Sequence, residues 1–357
     1  MSSLSEVTAR AWRENRPFSA LLELTYRCNL DCFFCYNDLG LRGRPLELRQ
    51  WLELLDELAT LGVLHVALSG GEPLAHPDFF VIGAHARERG FVVRVKSNGH
   101  GLSRPIARRL RLQVDPYLVE VSLHGACAAT HDRQTRVPGS FERLVRHLGE
   151  MRAEGLRVRI NATLTSWNEG EVEEMFALAD SLGLPLQFDP EVTPRDDGDR
   201  GPQEVAASRA GLLRLFRAEY ARGEKATAGV ATRDADRGLP VPTDKHCGAG
   251  SSGIAVDPYG NVYPCVQWRR SVGNLHAQRL AEIWTGSRDL AEIRRTTAEV
   301  KQRLASRGDA ALLNFCPGLA AATSGDPLAV YPGAVRRAEA IRQVATERRR
   351  LELRVLP

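Results

Sequence analysis

Strand-like and helix-like segments alternate along the first half of this 357-residue chain, and this alternation limits the fold more than any other feature. Six apolar runs are typical of buried strands: 18–25, 63–69, 91–96, 117–123, 156–164 and 184–189. Amphipathic or capped segments between them predict helices over 46–61, 78–89, 103–112, 140–153 and 169–181. Such units predict an α/β fold with a parallel sheet and outer helices. Six units are fewer than the eight of a closed barrel.

Three cysteines, Cys28, Cys32 and Cys35, follow the first strand with the spacing C-x3-C-x2-C. A zinc site usually shows paired C-x2-C units and four protein ligands. Three thiolates in one loop suit a 4Fe–4S cluster, because three irons are bound and the fourth stays open for a substrate or cofactor. The alternatives for this spacing are three unrelated buried thiols, or a zinc site completed from elsewhere in the chain.

Polar residues also stand where the later strands end. The second strand runs into Gly70-Gly71-Glu72-Pro73, Ser97 and Asn98 follow the third, and Ser122 ends the fourth. Chemistry in parallel (β/α) sheets belongs at these carboxyl ends. The cysteine spacing, with the aromatic Phe34 before the third cysteine and the GGEP turn after it, resembles the radical S-adenosylmethionine (SAM) enzymes over about residues 17–320. The resemblance implies a partial (β/α)6 TIM-like barrel.

The resemblance also implies a role for each motif. Cys28, Cys32 and Cys35 would hold a 4Fe–4S cluster whose open iron is chelated by the methionine moiety of SAM. Reductive cleavage of SAM then gives a 5′-deoxyadenosyl radical that abstracts hydrogen from a substrate. The GGEP turn is expected to grip the methionine ammonium, since its glycines allow close backbone approach. The remaining expected SAM contacts are Phe34 against the adenine, Ser97, Asn98 and Ser122 on the ribose or carboxylate, and Asn161 and Thr163 from the fifth strand.

Cys127 follows the fourth strand in the sequence Ser-Leu-His-Gly-Ala-Cys. Most free cysteines are small buried hydrophobic residues, and this is the simpler interpretation. The alternative is a thiol that donates a hydrogen atom to a substrate radical, as in radical epimerases. Together with His124, His131 and the later Pro-Gly-Ser-Phe, this stretch resembles radical SAM enzymes that modify ribosomal peptides or haem precursors.

A second cysteine region contains Cys247, Cys265 and Cys316. Apolar runs flank the turn Asp-Pro-Tyr-Gly-Asn at 257–261, which predicts a β-hairpin that brings Cys247 and Cys265 together. The region resembles the SPASM and twitch extensions, so a C-terminal α+β extension of hairpin and helices is expected. A full SPASM extension has more cysteines, which leaves one auxiliary 4Fe–4S cluster as the most this region should hold. Its fourth iron would be open, substrate-bound or ligated by Asp244, His246 or His276; a metal-free extension is the alternative.

Composition excludes several classes of protein. The net charge of +4 has mixed signs and gives no nucleic-acid signature, and no apolar run is long enough for a membrane span. Seven cysteines without an export signal favour metal binding in a cytoplasmic protein. The expected division is an arm (1–16), the barrel (17–200), a connection (201–245), the auxiliary-cluster domain (246–325) and an Arg-rich helix (326–357). That helix is either a solvated face or a docking surface for an acidic partner.

Three functions are compatible with these motifs. The first is maturation of a ribosomally made peptide by oxidative cross-linking (thioether or C–C), with a separate leader-recognition protein and a flavodoxin- or ferredoxin-type reductant. In it the auxiliary cluster accepts an electron or anchors the substrate. The second is oxidation, decarboxylation or epimerisation of a small molecule such as a tetrapyrrole, sugar or antibiotic precursor. The third, a non-catalytic Fe–S sensor, has no need for the GGEP turn.

Overall fold

The computed structural model describes residues 4–38, 40–223 and 244–355. One sheet organises the chain, with the strand order β6-β5-β4-β3-β2-β1-β7-β8-β9. The strands are β1 Ser19–Thr25, β2 His65–Gly70, β3 Val92–Ser97, β4 Leu118–Ser122, β5 Val158–Thr163, β6 Leu186–Asp189, β7 Gly253–Val256, β8 Asn261–Tyr263 and β9 Gly273–Asn274. Strands β1 to β6 pair in parallel with their neighbours. The predicted six-stranded parallel sheet of an open barrel is confirmed.

Helices follow the strands at nearly the predicted positions. They are α1 Leu4–Arg13, α2 Leu48–Thr60, α3 Phe79–Glu88, α4 Arg104–Gln113, α5 Ala128–Thr135, α6 Ser140–Ala153, α7 Val172–Ser181, α8 Arg209–Ala221, α9 Leu280–Gly286, α10 Arg288–Ala305, α11 Ala310–Leu313, α12 Pro317–Ser324 and α13 Pro332–Val355. Helix α5 had not been predicted, and no bounds had been predicted for α10, α11 and α12 within the extension. The expected connection at 201–245 begins with a 3₁₀ turn at Gly201–Val205, which α8 follows. Residues 224–243 of this connection lie outside the described residues.

The predicted hairpin forms from β7 and β8, which pair antiparallel. Its turn is closed by the Asp257 carboxylate, which accepts from the backbone N–H groups of Tyr259 and Asn261, each at 2.9 Å. The sequence did not predict that β7 pairs in parallel with β1, with Ser19 opposite Gly253. The extension therefore continues the barrel sheet, and this places its cysteines beside the first strand.

The two faces of the sheet differ in chemistry. On the outer face, apolar side chains are fully buried under the helices: Leu22, Leu68, Val95, Val121 and Ile160. On the inner face, Lys96, Glu120 and Arg159 occupy one register row. Glu120 is almost fully buried and is paired with Arg94 at 2.7 Å, with Lys96 at 3.2 Å and with Arg159. The inside of the barrel is therefore polar, unlike its helix-covered outside.

Helix α13 covers a second apolar cluster formed by Val300, Leu304, Leu313, Phe315, Tyr331 and Ala338. The expectation that its arginines form a solvated face is wrong for Arg337, which is 4% exposed. Arg337 pairs with Glu191 at 2.5 Å and donates to the carbonyls of Leu313 and Asn314. The helix is thus fastened to the chain just before Cys316. Among the described helices, none is long and apolar enough to cross a membrane.

Candidate active site

The loop of Cys28, Cys32 and Cys35 leaves the carboxyl end of β1 and is held on one side by the glycine turn. Gly71 N–H donates to the Thr25 carbonyl at 2.7 Å, and Glu72 N–H donates to that of Arg27 at 3.0 Å. A Cβ atom on Gly71 would lie 2.7 Å from the Tyr26 carbonyl oxygen. Glycine is therefore required here, because any side chain would push the cysteine loop away from the turn.

Helix α5 holds the other side of the loop. The N–H groups of Asp31 and Phe33 donate to the carbonyls of Thr135 and Gln134 at 3.1 Å each. Arg136, in the left-handed conformation, places its guanidinium 4.9 Å from the Phe33 ring centroid and 3.4 Å from the Asp31 carboxylate. The cysteine loop is thus clamped between two elements that follow different strands.

The three thiols are close enough to influence one another. Burial raises the pKa of each, and the neighbouring thiols raise the pKa of Cys32 and Cys35 further. Thiolates crowded in this way require a compensating cation, which iron provides. In residues 4–38, 40–223 and 244–355, no three His, Cys, Asp or Glu side chains converge on the position of a single ion. A cubane cluster needs no such convergence, because each thiolate binds a different iron. The donor set fits a cluster.

Glu72 faces inward rather than standing free. Its carboxylate accepts from Ser97 Oγ at 2.9 Å, from Asn98 N–H at 2.8 Å and from Leu74 N–H at 3.2 Å. Burial raises its pKa to about 7, although these hydrogen bonds oppose the rise. The buried Ser97 hydroxyl also accepts from Gly99 N–H at 3.0 Å. Glu72 and Ser97 therefore stabilise the shape of the turn. Their predicted contacts with SAM stay predictions.

Asn98 lies against the first cysteine. Its Nδ2 donates to Asn29 Oδ1 at 2.9 Å and is 3.6 Å from Cys28 Sγ. Its Oδ1 accepts from His100 N–H at 2.9 Å. The amide of Asn98 therefore supports the cysteine loop, and its predicted bond to the ribose or carboxylate of SAM stays a prediction.

Phe34 packs its ring edge to face with His124, with centroids 4.8 Å apart, and His124 stacks on His131 at 5.9 Å. Burial lowers the pKa of His124 to about 3 and that of His131 to about 4, so both imidazoles are neutral near pH 7. Phe34 is half-buried on this neutral support. This arrangement suits a ring that is held ready to cover a flat, uncharged base.

Ser122 and Asn161 are register partners on β4 and β5. Asn161 Nδ2 reaches Glu120 at 3.4 Å, whereas its buried Oδ1 has no hydrogen-bond partner. An orphaned acceptor near the carboxyl end of a strand suits a ligand that carries donors, as SAM does. The predicted cofactor contact of this pair is therefore compatible with the geometry.

The Cys127 thiol is exposed at the start of α5, so the simpler expectation of a buried cysteine is wrong. Its Sγ lies 3.7 Å from Thr130 Oγ1 and 3.7 Å from Glu171 Oε1. Glu171 also accepts from Ala126 N–H at 2.7 Å, which anchors this loop. The hydrogen-atom-donor role stays a prediction.

The second group of cysteines also comes together. Burial raises the pKa of Cys247 to about 12 and that of Cys316 to about 11, and in both cases nearby cysteine thiols contribute. Cys265 Sγ accepts from Gln267 N–H at 3.4 Å. A Cβ on Gly318 would lie 2.5 Å from the Gln267 carbonyl oxygen, so the start of α12 packs directly on the Cys265 loop.

The three fourth-ligand candidates differ in position. His246 Nε2 lies 2.8 Å from the carbonyl of Phe315, next to Cys316. His276 has both ring nitrogens engaged outside the group, with Gln50 at 3.2 Å and the Arg44 carbonyl at 2.9 Å. Asp244 is exposed and lies 3.5 Å from Lys245. Of the three, His246 has the contact nearest to a cysteine of this group.

The sequence analysis missed Glu23 and Arg269. Glu23 is fully buried in β1, where Arg269 donates to both of its oxygens at 2.7 and 2.8 Å. One signal was available: Glu23 is the single charged residue in the apolar run 18–25. A buried carboxylate needs a cationic partner, but the sequence does not say which residue supplies it.

Comparisons with known proteins agree with this geometry. The model of the radical SAM superfamily matches residues 22–179, and that of SPASM, an iron–sulfur cluster-binding domain, matches 247–309. Mycofactocin maturase MftC of Mycobacterium ulcerans is 32% identical over 259 residues, covering 70% of this chain and 68% of the relative. PqqA peptide cyclase of Ruegeria pomeroyi is 31% identical over 283 residues, covering 75% and 74%.

A third relative aligns over almost its whole length. The AdoMet-dependent heme synthase of Methanosarcina barkeri is 28% identical over 345 residues, covering 90% of this chain and 97% of the relative. Among solved structures, native anSMEcpe with bound AdoMet and Cp18Cys peptide has a TM-score of 0.73 at 16% identity, covering 93% and 97%. That likeness concerns the fold. The chain belongs to the radical SAM superfamily and carries an iron–sulfur cluster-binding domain of the SPASM type.

Proposed function

We propose that this radical SAM enzyme modifies a ribosomally made peptide by oxidative cross-linking, through a thioether or a carbon–carbon bond. The observation that carries the proposal is the second group of cysteines, in which Cys247 and Cys265 flank the β7–β8 hairpin and β7 pairs with β1, the strand before the first group. An auxiliary cluster suits net oxidation, because it can take up the electron that a substrate radical gives up. The expected division at residues 200 and 246 is part of this proposal.

The chain's own residues prepare the SAM site. Cys28, Cys32 and Cys35 would bind three irons of the first cluster, and SAM bound at the open iron supplies the radical chemistry on reduction. The Gly70-Gly71 turn would present backbone carbonyls to the methionine ammonium, while Glu72 holds the turn in shape. Asn161 Oδ1 would accept a hydrogen bond from the cofactor, and Phe34 would cover the adenine.

In the second site, Cys247, Cys265 and Cys316 would bind three irons of one auxiliary cluster. His246 is the proposed fourth ligand, because it contacts the carbonyl of the residue before Cys316. His124 and His131 are buried and lie behind the ring of Phe34, so they serve as packing for that ring. A flavodoxin- or ferredoxin-type reductant and a separate leader-recognition protein complete the proposed cytoplasmic system.

Two relatives favour different substrates. A relative named a peptide cyclase supports the peptide proposal at 31% identity. The second candidate is a tetrapyrrole, supported by the heme synthase, since that alignment spans 97% of the relative. The two candidates are separated by offering the purified enzyme each substrate class and following product mass.

The test begins with anaerobic reconstitution, iron and sulfide analysis, and Mössbauer spectroscopy of the parent and a Cys28/Cys32/Cys35→Ala variant. We expect about eight irons in the parent and about four in the variant, with SAM cleavage lost. Cys127→Ser is the matched control, since this cysteine lies outside both groups, and it should keep the full iron content. Deoxyadenosine formation that survives in the triple variant would refute the SAM-site assignment.

The peptide step is tested with short peptides encoded beside the gene. We expect a peptide that has lost hydrogen, together with deoxyadenosine. A Cys316→Ala variant should still cleave SAM but yield no modified peptide. Modification of a tetrapyrrole with no reaction on any peptide would replace the first candidate with the second.

A further inference from the structure

A buried guanidinium joins the two cysteine regions. Arg269 lies four residues after Cys265, and its side chain is 10% exposed. Its two terminal nitrogens donate to the two oxygens of Glu23 at 2.7 and 2.8 Å, and its Nε lies 2.9 Å from Asp196 Oδ2. Glu23 belongs to β1, five residues before Cys28. One side chain of the extension is thus fixed to the strand that leads into the first cysteine loop.

The aromatic neighbours of Arg269 also belong to the cysteine segments. Tyr36, next to Cys35, has its ring centroid 5.9 Å from the guanidinium carbon, and its hydroxyl donates to Glu23 at 3.4 Å. Tyr263, two residues before Cys265, has its ring centroid at 5.0 Å. Asp196 N–H donates to the Tyr36 carbonyl at 2.8 Å. Each partner therefore adjoins one cysteine group or the other.

The charges in this network are ordered between the two groups. Arg269 lies on the Cys265 loop, four residues after that cysteine. Asp196 lies on the side of the first group, because its backbone N–H donates to the carbonyl of Tyr36, the residue after Cys35. The cation therefore lies on the side of the second site and the acid on the side of the first. The reduction potential of an iron–sulfur cluster rises with nearby positive charge.

Stability alone does not account for this network. A buried ion pair can often be replaced by apolar residues of similar volume without loss of stability. A bidentate Arg–carboxylate pair, however, fixes distance and orientation better than apolar packing does. We propose that Arg269 is a positioning residue that sets the place of the second cysteine group against β1 and raises the reduction potential of the auxiliary cluster. This inference rests on the proposed function, because it requires an auxiliary cluster.

The size of the effect follows from Coulomb's law. A unit charge roughly 10 Å from a cluster, at an effective dielectric constant of about 20, changes the ratio of reduced to oxidised cluster about tenfold at a fixed potential. Loss of the Arg269 charge should therefore lower the ratio of reduced to oxidised cluster at the parent's midpoint potential by about this factor. A purely structural role would leave this ratio unchanged in a variant that folds and holds its iron.

The experiment is an EPR-monitored reductive titration in the Cys28/Cys32/Cys35→Ala background, so that only the auxiliary cluster is observed. The auxiliary cluster of Arg269→Gln should titrate at a more negative potential than that of the parent. The midpoint potential of Arg269→Lys should lie close to that of the parent. Arg270→Gln is the matched control, since Arg270 is adjacent but half-exposed and pairs with Asp289 and Glu292 at the surface. This control should titrate like the parent.

If Arg269→Gln does not fold, because Glu23 is left unpaired, the double variant Glu23→Gln/Arg269→Gln carries the test. It keeps a hydrogen-bonding side chain at both positions and removes both charges, and it too should titrate at a lower potential, because Arg269 is the nearer charge to Cys265 in the sequence. A folded, iron-loaded variant whose midpoint reduction potential equals that of the parent would overturn the inference. Absence of iron from the background protein itself would instead refute the auxiliary site of the proposed function.

Discussion

Replacement of Gly71 by alanine tests how closely the cysteine loop must approach the glycine turn. The added Cβ would lie 2.7 Å from the Tyr26 carbonyl oxygen and 2.8 Å from that of Arg27. Ordinary contacts are longer by roughly 0.5 Å or more, and backbone cannot swing aside as a side chain can. The loop must therefore retreat, which stretches the hydrogen bonds of 2.7 and 3.0 Å that join it to the turn.

The cost can be worked out from these contacts. Overpacking costs about 1–3 kcal/mol, and weakening a hydrogen bond adds about 1 kcal/mol. We expect Gly71→Ala to lower the free energy of unfolding of the metal-free protein by about 2–4 kcal/mol, measured by urea denaturation. Because a misplacement of about 1 Å can cost about 100-fold in rate, SAM cleavage by the reconstituted variant should fall by that order.

Gly149→Ala is the matched control. Gly149 lies in α6, and a Cβ there would meet no atom within 4 Å. This change should stabilise the protein by about 0.5–1 kcal/mol and leave SAM cleavage unaltered. Gly71→Ala with the parent's stability and the parent's rate of SAM cleavage would refute the close-approach argument. Loss of stability without loss of cleavage would show that the loop regains its place when the cluster binds.

Three further outcomes are expected. The cations around Glu120 lower its pKa from 4.5 to about 2, so its contribution to stability is complete above pH 4.5 and is lost as pH falls toward 2. Glu120→Gln should lower the free energy of unfolding at pH 7 by about 3 kcal/mol, measured by urea denaturation. It should also weaken the dependence of stability on pH between 4.5 and 2. The pKa of Glu72 is instead raised to about 7, so the free energy of unfolding of the metal-free protein should fall by about 3 kcal/mol, relative to that of Glu72→Gln, as pH rises from 4.5 through 7. Parallel plots of stability against pH for the two proteins would contradict this. Gly318→Ala, whose Cβ would lie 2.5 Å from the Gln267 carbonyl oxygen, should lower auxiliary-site iron while SAM cleavage continues; full iron content would show that Cys316 tolerates the shift.

Local patterns in the sequence accounted for most of the barrel. Alternation of apolar runs with amphipathic segments places β1 to β6 within a few residues of their observed bounds, because hydrophobic periodicity is a property of neighbouring residues. Helix α6 begins and ends at the expected residues, Ser140 and Ala153. Helix α5 was missed because its residues, Ala128 to Thr135, carry little apolar periodicity, yet its last carbonyls hold the cysteine loop.

The candidate site divides in the same way. The cysteine spacing and the GGEP turn were readable as motifs, and the turn proved to need its glycines for contact with the loop. The contacts among the side chains of the turn and those after β3 were not predicted. Their expected contacts with SAM stay predictions, whereas the hydrogen bond between Glu72 and Ser97 and the contact of Asn98 with Cys28 had not been predicted. Only the packing of β2 beside β3 decides which way these side chains turn.

By itself the sequence determined the α/β class, the number of strands in the barrel, the two groups of cysteines and the hairpin between Cys247 and Cys265. These depend on residue spacing within single segments, where periodicity and turn chemistry act over short distances. Tertiary structure alone decided that β7 pairs with β1, that Arg269 pairs with Glu23, and that Arg337 is buried on the inner side of α13. Such pairings depend on which distant surfaces meet when the core forms. A buried charge requires a partner, but the sequence does not show which residue supplies it.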